Sequence, residues 1–191
     1  DSVGQSILSN VIDVNMPKNR IDNIIKTLNP SLIITDEKNN DKLNELGYGI
    51  KTLVLEECLK NKINYDKIIE AQERLIDINP MYVLFTSGST GVPKGSVISY
   101  KSVISYCKWF TETFKINSRT VFGSQTPFYF SMSVSDVFST VMMGASLDII
   151  PKSYFSFPLN LIKYMDEKKI NTIYWVPSAL SIVANLKTFD V

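Results

Sequence analysis

The sequence predicts a layered α/β protein with mostly parallel sheet, because short β-branched runs alternate with helix-spaced apolar patterns along nearly the whole chain. Three observations lead there. Helical patterns stop at Asn-Pro or Gly, the runs between them are short and β-branched, and strand and helix patterns alternate. Strands separated by helices pair in parallel more readily than as hairpins.

The elements follow in order. Pro17 sits at a helix start, and Ile21, Ile24, Ile25 and Leu28 keep helical spacing until Asn29-Pro30. Leu32 to Thr35, bounded by Asp36, reads as a buried strand. A short helix around Leu43 and Leu46 ends at Gly47, a strand spans Thr52 to Leu55, and a helix around Ile68, Ile69 and Leu75 precedes Asn79-Pro80. Strands at 82–85 and 97–98 flank a Gly/Ser/Thr-rich stretch. Val103, Tyr106, Cys107, Phe110 and Phe114 then mark an amphipathic helix, followed by a strand at 120–122. The next helix opens with Ser133 three residues before Asp136, a capping-box spacing, and closes at Gly144. A strand at 147–150, a helix at 158–168, a strand at 172–176 and a helix at 178–187 complete the pattern. No repeat or linker marks an internal boundary.

Composition excludes several classes of function. The 191 residues are 45% apolar and 20% charged, enough for a sizeable core in one domain or a piece of a larger one. A net charge of +1 leaves no basic excess for a phosphate backbone, so nucleic acid is not an expected partner. There is no histidine, which removes Ser-His-Asp and Cys-His nucleophile systems, a histidine base and histidine metal ligands. Two cysteines, Cys58 and Cys107, make neither a disulfide framework nor a zinc cage, and a reduced, cytoplasmic setting is expected. No apolar run approaches the roughly 18 to 20 residues of a membrane helix, so no membrane partner is expected. The sequence starts at Asp1 without Met and ends at Val191 straight after a helical pattern, which suggests part of a longer polypeptide.

The chemistry concentrates in Thr86-Ser87-Gly88-Ser89-Thr90-Gly91-Val92-Pro93-Lys94-Gly95. Its glycines let the backbone pass close to a ligand with amides exposed, its hydroxyls offer donors, and Lys94 supplies a point charge. This is the chemistry of a phosphate cradle. It is not the common nucleotide P-loop, in which Gly directly precedes Lys and Ser or Thr follows; here Pro93 precedes Lys94 and Gly95 follows.

The segment resembles the phosphate-loop signature of the acyl- and aminoacyl-adenylate-forming (AMP-binding) enzymes, closest in look to nonribosomal peptide adenylation domains and D-alanine:carrier-protein ligases. The resemblance extends to Ile12-Asp13-Val14-Asn15-Met16-Pro17 with Arg20-Ile21, to Ile33-Ile34-Thr35-Asp36, to Phe130-Ser131-Met132-Ser133-Val134-Ser135-Asp136 and to Val176-Pro177-Ser178. It implies the fold of that family's large N-terminal domain. It also implies ATP-dependent activation of a small carboxylic acid: the carboxylate attacks the α-phosphate, giving an acyl-adenylate and pyrophosphate. The acyl group would pass to a phosphopantetheine carrier protein or to CoA, and Mg2+ would arrive with ATP. By the same resemblance Thr86, Ser87, Gly88, Ser89, Thr90, Gly91 and Lys94 bind the ATP phosphates, and Ser131, Met132, Ser135 and Tyr174 line the acid pocket, with helical spacing putting Ser131, Met132 and Ser135 near one face.

The family's Tyr-Gly-Pro-Thr-Glu segment, ribose-binding Asp and catalytic Lys have no counterpart in these residues. The chain therefore resembles part of the N-terminal domain without the small C-terminal domain, and by itself is expected to be inactive. The alternative is a non-catalytic nucleotide-binding or carrier-docking module from a truncated relative. Ser131 stands where adenylation domains for α-amino acids generally carry an Asp that pairs with the substrate ammonium. It points to an aryl, hydroxy or other acid without that ammonium, or else to a carboxylate elsewhere that does the pairing. Asp136 reads as a capping carboxylate rather than a catalytic acid, Phe128, Tyr129 and Phe130 as core or pocket wall, and Asp166-Glu167-Lys168-Lys169 as a solvated helix end. Cys107 reads as a buried small hydrophobe.

Overall fold

The computed structural model describes residues 9–86 and 93–184, and the chain divides into two compact units at Ile98/Ser99.

In the first unit, helix α1 (Lys18–Leu28) starts behind Pro17 and ends at Asn29, whose left-handed φ of 46° turns its N–H back to Ile25 O. It buries Ile21, Ile24 and Ile25 of the predicted stripe, while Leu28 is half-buried. Strands β1 (Ile33–Thr35) and β2 (Thr52–Val54) pair in parallel, Ile33 opposite Thr52, with helix α2 (Glu37–Leu46) as the crossover. The Asp36 carboxylate caps α2 by accepting from the Asn39 N–H at 2.8 Å, and Gly47 closes it at a φ of 67°.

The strand at 32–35 was expected to be buried. Ile34 is instead 65% exposed, since a two-stranded pair offers one covered face at most. Leu55 leaves the second strand for a one-turn helix α3 (Leu55–Cys58) that the pattern did not signal. Helix α4 (Tyr65–Glu73) is capped by Asn64 and stops before Leu75; Ile68 and Ile69 are exposed on it. Strands β3 (Pro80–Thr86) and β4 (Lys94–Ser99) pair with one another, and Ser9 adds a parallel bridge to Tyr82.

The second unit begins with helix α5 (Tyr100–Thr113), capped by the Ser99 hydroxyl, which buries Val103, Cys107 and Phe110. Strands β5 (Val121–Ser124) and β6 (Ser146–Ile149) are parallel neighbours, Val121 opposite Ser146, joined through helix α6 (Ser133–Met143) with Gly144 closing it at a φ of 62°. A 3-10 turn at Lys152–Ser156 leads into α7 (Pro158–Glu167), and α8 covers Pro177–Ala184. Residues 185–187, the end of the predicted last helix, lie outside the described residues.

The predicted strand at 172–176 is a single parallel bridge from Thr172 to Phe122. The next polar link in this segment comes from a side chain: the Trp175 indole donates to Gly123 O at 2.7 Å. Gly123 is needed in β5 because a Cβ there would lie 2.7 Å from Ile170 Cγ2. One core packs Phe110, Ile116 and Phe122; another packs Ile150, Leu161, Trp175, Ala179 and Val183.

The capping box does not form. Met132 is the residue before α6, the Ser133 hydroxyl donates to Phe130 O at 2.8 Å, and Asp136 turns inward, 1% exposed, instead of reaching the helix amides. The solvated end at 166–169 is exposed as expected, and Cys107 is buried.

Candidate functional site

The glycine-rich segment is bounded by β3 and β4. Ser87, Gly88, Ser89, Thr90 and Gly91 lie outside the described residues; Thr86 ends β3 and Lys94 opens β4. Lys94 is therefore a strand residue rather than part of the connecting loop, which fixes its backbone by pairing with β3. The Thr86 hydroxyl donates to Lys94 O at 3.5 Å, drawing the two strand ends together. Pro93 is buried, while Thr86 and Lys94 are exposed.

Gly95 has a packing reason beyond flexibility, since a Cβ would sit 2.9 Å from Val83 Cγ2 and 3.2 Å from the Phe85 ring. The order Pro-Lys-Gly thus places a rigid residue, a charge and a close-packing residue in sequence. Arg20, on α1, donates to Phe85 O at 3.3 Å, one residue before the segment begins. Sequence reasoning matched Arg20 to a motif but gave it no role. Among the described residues, its structural signal is this side-chain bond.

The Lys94 ammonium forms no ion pair with any described residue. No group of three or more Cys, Asp or Glu comes together among the described residues.

The residues expected to line the acid pocket all lie in the second unit. Helix α6 begins two residues after Ser131, so helical spacing does not carry to it: Ser131 is exposed in the preceding turn, where its carbonyl accepts from the Val134 N–H at 3.1 Å. Met132 is half-buried and Ser135 is wholly buried. Met132 is itself helical in φ and ψ, and its carbonyl accepts from the Ser135 N–H at 3.2 Å.

What the structure brings together is Ser135 and Tyr106, whose hydroxyl oxygens are 2.7 Å apart, with Tyr174 acting on the same phenol. Tyr174 is half-buried and packs edge-on against Phe110 at 5.3 Å. Burial pushes the Tyr106 phenol up; the Ser135 bond opposes the rise, and Tyr174 adds to it. Tyr106 escaped sequence reasoning as a site residue because its spacing made it one more member of an apolar helix face.

Phe128 and Phe130 are largely exposed, and Phe130 stacks at a tilt on Tyr129 at 4.9 Å. They do not join the described core. A shallow hollow lined by Phe114, Lys115, Asn117, Arg119 and Asn171 shares no residue with the expected pocket.

Beside Ser135, the Asp136 carboxyl is pushed up to about 6 by burial, an effect the Ser124 hydroxyl only partly opposes. Neither of its oxygens has a hydrogen-bond partner of good geometry, and the hydroxyls of Ser124, Thr126 and Ser139 are likewise buried and unsatisfied.

A paired-strand glycine segment with an exposed lysine, in an α/β chain, defines a candidate anion- or nucleotide-binding protein. The chain belongs to the family of AMP-binding enzymes, whose sequence profile it matches over residues 4–190. It is 31% identical to the vanchrobactin synthetase VabF of Vibrio anguillarum over 89% of this chain and 6% of that protein. To the D-alanine--D-alanyl carrier protein ligase of Bacillus velezensis it is 29% identical, over 87% of this chain and 32% of the ligase. The chain thus spans about a third or less of the length of these relatives. Its fold matches the adenylation domain of a keto acid-selecting nonribosomal peptide synthetase module bound to keto acyl adenylate, with a TM-score of 0.77 and 16% identity over 95% of this chain and 33% of that one.

Proposed function

We propose that the protein containing this chain activates a small carboxylic acid with ATP, forming an acyl-adenylate and pyrophosphate, and then passes the acyl group to the thiol of a phosphopantetheine carrier or of CoA. The observation that carries this reading is the Thr86 to Gly95 segment, bounded by β3 and β4, in a chain of the AMP-binding family. The hydroxyls and amides of residues 86–91 and the Lys94 ammonium hold the β- and γ-phosphates, where they stabilise the charge that moves onto pyrophosphate as the α–β bond breaks. Mg2+ enters with ATP and neutralises phosphate charge. The 191 residues form part of the larger nucleotide-binding domain and fall short of the whole reaction. Two free cysteines, one buried and one half-buried, fit a cytoplasmic setting.

Ser131 narrows the acid. A hydroxyl does not neutralise an α-ammonium, so the reading favours aryl, hydroxy or other acids without one. Ser131 is exposed, so the discrimination is that of a solvent-screened pair rather than a buried one, at most about fivefold. The test is acid-dependent ATP–pyrophosphate exchange by the full-length protein with matched acids differing only in the α-amino group, repeated with Ser131→Asp. Preference for the acid without the amine, shifted toward the amino acid by the substitution, supports the reading. Preference for α-amino acids that Ser131→Asp leaves unchanged refutes its substrate part; no exchange with any acid refutes the activity.

A further inference from the structure

Ser135 and Tyr174 are expected pocket residues whose hydroxyls both act on one group, the Tyr106 phenol, and Ser135 is 0% exposed. A ligand arriving at this end does not meet the serine. Its hydroxyl is engaged at 2.7 Å by the phenol of Tyr106, which is only half-buried. The long side chain of Tyr106 on α5 thus carries a half-buried hydroxyl to the place where the serine's own is covered.

The surroundings make that hydroxyl distinctive. The Tyr106 ring lies 5.8 Å from the Trp109 ring and 6.0 Å from the Phe110 ring, and Phe110 packs edge-on against Tyr174. The phenol is thus a polar point on a largely aromatic surface. Among the described residues, the groups that act on it are the Ser135 and Tyr174 hydroxyls and the Cys107 thiol, none of them charged at neutral pH.

Tyr106 and Ser135 each hold one hydroxyl proton and two lone pairs. With Tyr174 also acting on the phenol, the three hydroxyls hold three protons and two contacts consume two of them, so the cluster keeps one donor and spare acceptors. Among the described residues no charged group acts on the phenol, so a charged tail group at Tyr106 would be left unpaired there, and a hydrocarbon tail would leave the spare hydroxyl capacity unmet. A neutral hydrogen-bonding group matches it on both counts.

We propose that Tyr106 is a specificity-determining residue: its hydroxyl, held by Ser135, recognises a neutral hydrogen-bonding group, such as a hydroxyl or carboxamide, on the tail of the acid. This rests on the reading that Ser135 and Tyr174 belong to the acid pocket.

The test uses the full-length protein and pairs of acids matched in size, one bearing the hydroxyl or carboxamide and the other a methyl or methylene in its place. In ATP–pyrophosphate exchange the wild type should prefer the hydrogen-bonding acid by about tenfold in kcat/KM. Tyr106→Phe should bring the pair to near parity by raising KM for that acid while KM for ATP stays unchanged. Ser135→Ala, which frees the phenol without deleting it, should lose part of the preference in the same direction, and it carries the test if Tyr106→Phe does not fold by circular dichroism. An active wild type whose preference survives both substitutions, or which prefers the alkyl acid, overturns the assignment of Tyr106 alone. A wild type without exchange on any acid overturns the adenylation reading with it.

Discussion

Helices α1 and α6 are each eleven residues long, and they bury opposite kinds of face. α1 turns Ile21, Ile24 and Ile25 inward. α6 turns Ser133, Ser135, Asp136 and Ser139 inward and leaves Val141 77% exposed. Burying three isoleucines contributes roughly 1.5 to 3 kcal/mol each, which is reason enough for α1 to lie where it does. Burying a serine or an aspartate returns nothing comparable, and an unpaired hydroxyl or carboxyl costs stability. α6 is therefore held by its neighbours on β5 and α5 despite its buried face. A helix that keeps a polar inner face against that cost is where specificity is best sought, and Ser135 with Tyr106 fits that pattern.

The contrast has measurable consequences, the largest on α1. Ile24→Ala removes a side chain that is 2% exposed and should cost about 2 to 5 kcal/mol in urea denaturation of the full-length protein. A loss below about 1 kcal/mol would mean that this face does not anchor the first unit.

On α6 the sign reverses. Burial raises the Asp136 carboxyl from its ordinary 3.8 to about 6, so the folded state holds that proton more tightly than the unfolded chain does. The stability linked to it is full below 3.8 and is lost as pH rises through about 6. Asp136→Asn lacks this loss. Relative to wild type it should gain up to roughly 3 kcal/mol between pH 3 and pH 8, most of it by pH 7. A pH-independent difference between the two would show that the carboxyl is solvated or paired.

The smallest effect is expected at Ser139, whose buried hydroxyl has no nitrogen or oxygen partner and stands beside the Cys107 thiol. Ser139→Ala should change stability by less than about 1 kcal/mol, against the larger loss at Ile24. A loss as large as that from Ile24→Ala would make α6 as dependent on its polar face as α1 is on its apolar one.

The same contrast explains what was legible in the sequence. α1 was readable from end to end because its stripe, Pro17 and Asn29 agree, and Gly47 and Gly144 marked helix ends at left-handed positions. The βαβ order and the motif flanked by β3 and β4 were also legible. Helix α6 was placed correctly, yet its side chains were misassigned: Ser133 with Asp136 has the spacing of a capping box, and spacing does not reveal that Asp136 faces inward. The segment at 172–176 looked like a strand because Ile173, Tyr174 and Val176 favour one, while its pairing is limited to the Thr172 bridge and the Trp175 side chain supplies a further link to β5. Tyr106 was hidden because a phenol on an apolar stripe looks like core until its hydroxyl partner is known.

The proposed activity assigns Lys94 to the ATP phosphates. Steady-state ATP–pyrophosphate exchange by the full-length protein, wild type against Lys94→Ala, tests it most directly. The expected result is a fall in exchange rate of about a hundredfold, with a weakened ATP dependence and a KM for the acid within about threefold of wild type. Unchanged exchange and unchanged ATP dependence in Lys94→Ala would contradict the assignment of this segment to the phosphates.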